Sequence, residues 1–178
     1  MITVLGHRGY LGAVVARRWA ELGETGDYVN CTFDDLDLIR RLARSGPGVI
    51  VPSTDAIAED TPYAERKRAI EAIPGIVIIR AGIIDTRKAH PIAYTDWLCN
   101  PVTPLEWADA AWARRDTTGV HELGRRDLSN RFAIAWFTAV LFHQPYRPTA
   151  AEGGPRDRTV LGVIRTPLTD ALTEYRDW

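Results

Sequence analysis

The sequence predicts an α/β fold built on a doubly wound parallel sheet, and three observations carry that prediction. The β-rich run Ile2-Thr3-Val4-Leu5 leads through Gly6-His7-Arg8-Gly9-Tyr10-Leu11-Gly12 into apolar residues at helical spacing: Leu11, Val14, Val15, Trp19 and Leu22. The continuous apolar run Val49-Ile50-Val51 has the pattern of a parallel strand buried on both faces. A further β-rich run, Ile76 to Ile79, follows the Pro74-Gly75 turn. Strands alternating with helices at this spacing pair in parallel, because each helix returns the chain to the start of the next strand.

Gly23 and Gly26 end the first helix, and Tyr28 to Phe33 has the β-branched and aromatic content of a second strand. Asp34 or Asp35 is placed to cap a helix that turns Leu36, Ile39 and Leu42 inward. Gly46-Pro47-Gly48 breaks the chain before the third strand, which delivers Ser53 and Thr54 at its carboxyl end. A helix starting near Pro62 sets Tyr63 and Lys67 one turn apart on one face. Beyond Arg80 the pattern loosens. Ala108 to Ala113 is helical, Val120 to Leu123 is a short strand, and Ser129 to Phe142 is an amphipathic helix with Ser129 as its cap. Gln144 to Arg158, with three prolines and two glycines, reads as a loop before a strand at Val160 to Ile164 and a last helix from Pro167.

Composition bounds the function. A length of 178 residues suffices for one well-buried domain, and 46% hydrophobic with 25% charged residues is the balance of a globular protein. The 22 basic and 23 acidic residues nearly cancel, so no global field draws the chain onto nucleic acid or an anionic membrane. No run approaches the roughly 18 apolar residues of a membrane span, and no signal peptide is read, so a cytoplasmic location is expected. Cys31, Cys99 and the four histidines, His7, His90, His121 and His143, have no metal-ligand spacing, so two thiols and no metal site are expected. Trp97, Trp107, Trp112 and Trp136 read as core or subunit-interface residues, which leaves a homo-oligomer open.

The glycine turn carries the first piece of chemistry. A pyrophosphate binds where backbone N–H groups and the helix dipole converge at a helix N-terminus, and glycines let it approach. Gly6 permits the tight turn, Gly9 the close approach and Gly12 the packing of helix on strand, with Arg8, Tyr10 and Leu11 between them. Residues 1–178 thus form a reduced Rossmann-type domain: a dinucleotide-binding core with the catalytic helix over 1–80, then mixed core and a small substrate lobe over 81–178. Asp34 or Asp35, after the second strand, is placed for the 2′-hydroxyl of NAD, whereas Arg8 suits the 2′-phosphate of NADP. The second piece is Tyr63 and Lys67. A tyrosine phenol ordinarily ionises near pH 10, about three units too high for proton transfer at neutrality, so it needs a cation beside it. Lys67, one of only two lysines in the chain, supplies that charge and a hydrogen bond to the nicotinamide ribose, while Thr54 or Ser53 binds the substrate oxygen.

Gly6-His7-Arg8-Gly9-Tyr10-Leu11-Gly12, Ser53-Thr54-Asp55 and the Tyr63/Lys67 pair together resemble the extended short-chain dehydrogenase/reductase family, within it the NAD-dependent epimerase/dehydratases and sugar-nucleotide reductases. Ile79-Arg80-Ala81-Gly82-Ile83 is similar to the segment after that family's catalytic helix, and Asn100-Pro101-Val102-Thr103-Pro104 to its Thr-Pro segment. Gly119 to Gly124 resembles its late strand, and Arg156-Asp157-Arg158 the arginine-bearing loop of its substrate lobe. Relative to that family the chain carries fewer elements before the Ser53-Thr54-Asp55 strand, and its link from Thr54 to Tyr63 is shorter. The resemblance implies an NAD(P)-dependent oxidoreductase or epimerase acting on a nucleotide-sugar, with NADP or NAD as cofactor and Arg156 and Arg158 on the substrate's diphosphate. The alternative is a non-catalytic nucleotide-binding or regulatory protein on the same scaffold.

Overall fold

The computed structural model describes residues 2–23, 28–31, 35–45, 48–87, 90–145 and 147–178. In chain order the elements are β1 (Ile2–Leu5), α1 (Tyr10–Glu21), β2 (Tyr28–Cys31), α2 (Leu36–Ser45), β3 (Gly48–Thr54), α3 (Pro62–Glu71), β4 (Val77–Ala81), β5 (Ile92–Tyr94) and β6 (Trp97–Cys99). They continue with α4 (Pro104–Ala113), β7 (Gly119–Glu122), β8 (Gly124–Arg125), β9 (Ser129–Asn130), α5 (Arg131–Leu141), β10 (Thr149–Ala151), β11 (Arg156–Arg158), β12 (Gly162–Ile164) and α6 (Leu168–Asp177). Two compact units result: Met1–Ala81 with Pro104–Glu122, and Gly82–Thr103 with Leu123–Trp178.

The first unit is an α/β sandwich around a five-stranded, wholly parallel sheet in the order β1-β2-β3-β4-β7. Alternation along the strands assigns the two faces. Val49, Val51 and Ile78 bury against Ile39 of α2 and Ile70 of α3, with Ile73 and Ile76 closing the cluster. The opposite face presents Ile50, Val77 and Ile79, all buried, and the Trp107 indole of α4 donates to the Ile79 carbonyl there at 3.4 Å. α1 packs on α4: the Trp19 indole donates to the Ala108 carbonyl at 3.0 Å, its ring lies 5.2 Å from that of Trp112, and Arg18 bonds Asp109 at 2.6 Å. Helices thus cover both faces, the layering expected of a Rossmann-type sheet.

The strand order shows how the fold is reduced. A full dinucleotide-binding sheet runs 3-2-1-4-5-6 and reverses direction at strand 1. Here every hydrogen-bonded neighbour follows in chain order, and among the described residues no strand flanks β1 on its far side. The flank where the full order places strands 2 and 3 therefore holds no described strand.

The second unit is made of short pieces: β10 pairs with β5, β11 with β6 and β12 with β8, all in parallel, and β9 pairs with β6 in antiparallel. The buried Asn100 side chain knits it together, donating to the carbonyls of Arg125 and Val160 at 2.9 and 2.8 Å and accepting the Val160 N–H at 3.0 Å. A Cβ on Gly124 would stand 2.5 Å from Asn100 Nδ2, so only glycine fits beside it. Two expectations are corrected here. Gln144 to Arg158 is not a plain loop but carries β10 and β11, whose partners lie more than fifty residues upstream and leave no local signature. Asn130, not Ser129, caps α5, accepting the Ala133 N–H at 2.7 Å, because the β6–β9 ladder runs through both residues and the helix begins only at Arg131. The end of the expected Tyr28–Phe33 strand and the Gly46-Pro47 break lie outside the described residues. None of the described helices is long and apolar enough to cross a membrane.

Trp19→Ala removes a fully buried ring and its hydrogen bond to the Ala108 carbonyl, so we expect a loss of about 3–5 kcal/mol, read as a lower urea midpoint at unchanged m-value. His121, on β7, makes stability pH-dependent. Burial and then the nearby Arg114 lower its pKa from 6.5, so below that value the unfolded chain binds more protons than the folded one. Its contribution is therefore whole above about pH 6.5 and is lost as pH falls further. Urea midpoints should drop between about pH 7.5 and 5.5, and His121→Gln should flatten that slope.

Candidate active site

The glycine turn forms as a turn requires. Gly6 has φ +84°, a left-handed conformation that costs side-chain-bearing residues energy, and its carbonyl accepts the Gly9 N–H at 2.7 Å. Gly9 is the N-cap of α1, no side chain caps that helix, and a Cβ on Gly9 would stand 3.2 Å from the Gly6 carbonyl oxygen. Gly12 is buried in α1, Tyr10 and Leu11 are half-buried, and Arg8 is exposed without a hydrogen bond or ion pair among the described residues. These features fit a pyrophosphate: a side-chain-free helix N-terminus with a cation beside it. The far end of a dinucleotide fits less well. Asp35 lies beyond β2, which here stands between β1 and β3, and its carboxylate caps α2 by accepting the Leu38 N–H at 2.9 Å. Asp34 lies outside the described residues.

Tyr63 and Lys67 sit on α3, whose start is set by Thr61, accepting the Ala64 N–H at 3.1 Å, and by Pro62 in the first turn. Tyr63 is 49% exposed, whereas Lys67 is 4% exposed. The Lys67 ammonium lies 5.7 Å from the Tyr63 ring centroid and donates to the Pro52 carbonyl of β3 at 2.8 Å. An ammonium has three donors, so this bond uses one.

The two hydroxyls at the end of β3 have parted company. Thr54 Oγ1 accepts the Ala56 N–H at 3.1 Å and donates to Asp55 Oδ1 at 3.3 Å. Ser53, one residue back and so on the opposite face, donates to Glu71 of α3 at 2.6 Å. Glu71 in turn accepts from Arg80 through both oxygens, at 3.1 and 2.6 Å, and the other arm of Arg80 reaches Glu122 of β7 at 2.7 Å. The Glu71 hydrogen bond raises the Arg80 pKa further, against the opposing effect of burial. Sequence reasoning missed this cluster, although one signal was present: Arg80 interrupts an apolar strand run, and a sheltered charge needs a partner.

In the second unit, Arg156 and Arg158 of β11 alternate onto one face. Their guanidinium carbons stand 4.4 and 4.7 Å from the Trp97 ring centroid, and Tyr94 stacks on the same ring at 4.3 Å and 21°. Trp97 also lines a cavity of about 400 Å³ with a floor that includes Ile84, Ala93 and Ile134 and with Arg131 among its polar walls. The Trp97 indole N–H is buried without a partner among the described residues. β5, β6 and α5 meet only in the fold, so nothing in the sequence announced this cavity.

No family model and no curated protein sequence matches the chain. Solved structures do. A dTDP-4-dehydrorhamnose reductase from Clostridium acetobutylicum superposes with a TM-score of 0.71 at 14% identity, covering 99% of this chain and 98% of that one. One from Bacillus anthracis, in complex with NADP, gives 0.68 at 10% identity, covering 99% and 97%. A UDP-glucose 4-epimerase from Thermotoga maritima, with UDP-glucose, gives 0.66 at 12%, covering 99% and 98%. The protein has the Rossmann-type α/β fold of nucleotide-sugar reductases and epimerases.

Thr61→Ala removes the cap beside Tyr63 and should cost about 1 kcal/mol, measured as a lower denaturation midpoint with fraying of α3 in amide exchange.

Proposed function

We propose that the protein is an NAD(P)-dependent enzyme that reduces or epimerises a nucleotide-linked sugar. The observation that carries this reading is the Tyr63/Lys67 pair on successive turns of α3, with Lys67 buried against β3 and Tyr63 half exposed. A bound nicotinamide dinucleotide would supply the hydride acceptor or donor. The chain supplies the rest. Gly6, Gly9 and the first turn of α1 hold the pyrophosphate, and Arg8 favours NADP by meeting a 2′-phosphate. Tyr63 exchanges the proton of the reacting sugar hydroxyl, Lys67 provides the positive charge beside the phenol, and Thr54 bonds the same oxygen. Thr54 is preferred over Ser53 because its bond to Asp55 is the longer, at 3.3 Å against the 2.6 Å of Ser53 to Glu71. In the second unit, Arg156 and Arg158 are the candidate groups for the diphosphate.

A second reading, a nucleotide-binding protein without catalysis, is favoured by one feature: among the described residues no strand flanks β1 on the side that carries the adenosine in a full sheet. Calorimetry with NADPH and NADH, then turnover with dTDP-, UDP- and GDP-linked sugars, separates the two. We expect NADPH to bind and Tyr63→Phe to lower kcat by roughly 100-fold or more with binding retained. Full activity in Tyr63→Phe rules out the proton-transfer role, and tight binding without turnover selects the second reading.

A further inference from the structure

Tyr63, Lys67 and Glu71 recur at four-residue intervals, so they form one stripe along α3. Two of them are tied to adjacent residues of β3, Lys67 to the Pro52 carbonyl at 2.8 Å and Glu71 to the Ser53 hydroxyl at 2.6 Å. The Glu71 carboxylate is also gripped by Arg80 in a bidentate pair. Ser53 faces Arg80 in the β3–β4 register and Arg80 faces Glu122 in the β4–β7 register. Three strands therefore contribute one rung of polar side chains, and Glu71 docks a helix onto it. The side chains of Glu71 and Arg80 are 11% and 21% exposed, sheltered enough to resist salt screening.

We propose that Glu71 is a positioning residue: its clamp on Arg80 and Ser53 sets the lengthwise register of α3 on the sheet and thereby holds Lys67 and Tyr63 in place. This rests on the reading of Tyr63 and Lys67 as the proton-transfer pair. A helix on a sheet can slide along its own axis, and apolar contacts such as those of Ile70 resist that only weakly because they lack direction. A bidentate ion pair has direction. It matters because a displacement of about 1 Å at a reacting group can cost about 100-fold in rate.

The chain has two lysines, Lys67 and Lys88, so ¹⁵N-lysine labelling gives two side-chain ammonium signals, assigned with Lys88→Arg. Glu71→Gln should shift the Lys67 signal and speed its exchange with water by at least about tenfold. Glu122→Gln cuts the other ion pair of Arg80 without touching α3, and should lower thermal stability while leaving the Lys67 signal in place. If Glu71→Gln does not fold, Glu71→Asp and Ser53→Ala carry the same comparison. An unmoved Lys67 signal in the folded Glu71 or Ser53 variants, or an equal shift in Glu122→Gln, overturns the proposal. In turnover, Glu71→Gln should lower kcat with little change in KM. The resonance measurement needs no substrate, so the two readings fail separately. A shifted Lys67 signal in a protein that turns nothing over removes the catalytic reading alone, and an unshifted signal in an active enzyme removes the clamp alone.

Discussion

A lysine ammonium at 4% exposure must be hydrogen-bonded, because an unpaired buried charge costs far more than a fold of this size can spare. Lys67 meets that requirement at the Pro52 carbonyl, on a strand that is buried along nearly its whole length. The same demand shapes the residues around it. Ser53, Glu71, Arg80 and Glu122 satisfy one another across three strands and a helix. Tyr63, 49% exposed, is the solvent-facing end of a stripe whose other members, Lys67 and Glu71, are held against β3.

The second unit solves a different problem. Its strands are two or three residues long and too short to be stable as isolated ladders, so side chains provide the cross-links. Asn100 bridges Arg125 and Val160, and Trp97 is packed between the Tyr94 ring and two guanidinium groups. The chain reaches this unit after Ala81, leaves it at Pro104 and returns after Glu122. Its polar anchors therefore join segments far apart in sequence, and its cavity is lined by residues from two such segments.

Much of the first unit was legible from local pattern. The glycine turn, the apolar stripe of α1, the run of β3 and the Pro62 start of α3 each rest on contacts within a few residues, which is the range over which periodicity and capping act. Tyr63 and Lys67 were legible for the same reason. The second unit was not. A three-residue strand has no measurable period, so β10 and β11 could be found only through their partners β5 and β6. Asn130 took the cap from Ser129 because pairing with the distant β6 keeps the chain extended through Asn130 and delays the helix to Arg131.

By itself the sequence determined which segments are strands and helices in its first half, where the glycines bend the chain, and that a phenol and an ammonium lie one helical turn apart. Those are short-range consequences of side-chain shape and backbone freedom. The tertiary structure alone decided the order of the strands, and with it the absence of a described strand beyond β1. It also decided that Ser53 faces Glu71 while Thr54 faces the other way, and that Arg80 joins β3, β4, β7 and α3 at one rung. These are long-range pairings, set by which surfaces bury best against each other when the whole chain closes, and no local pattern records them.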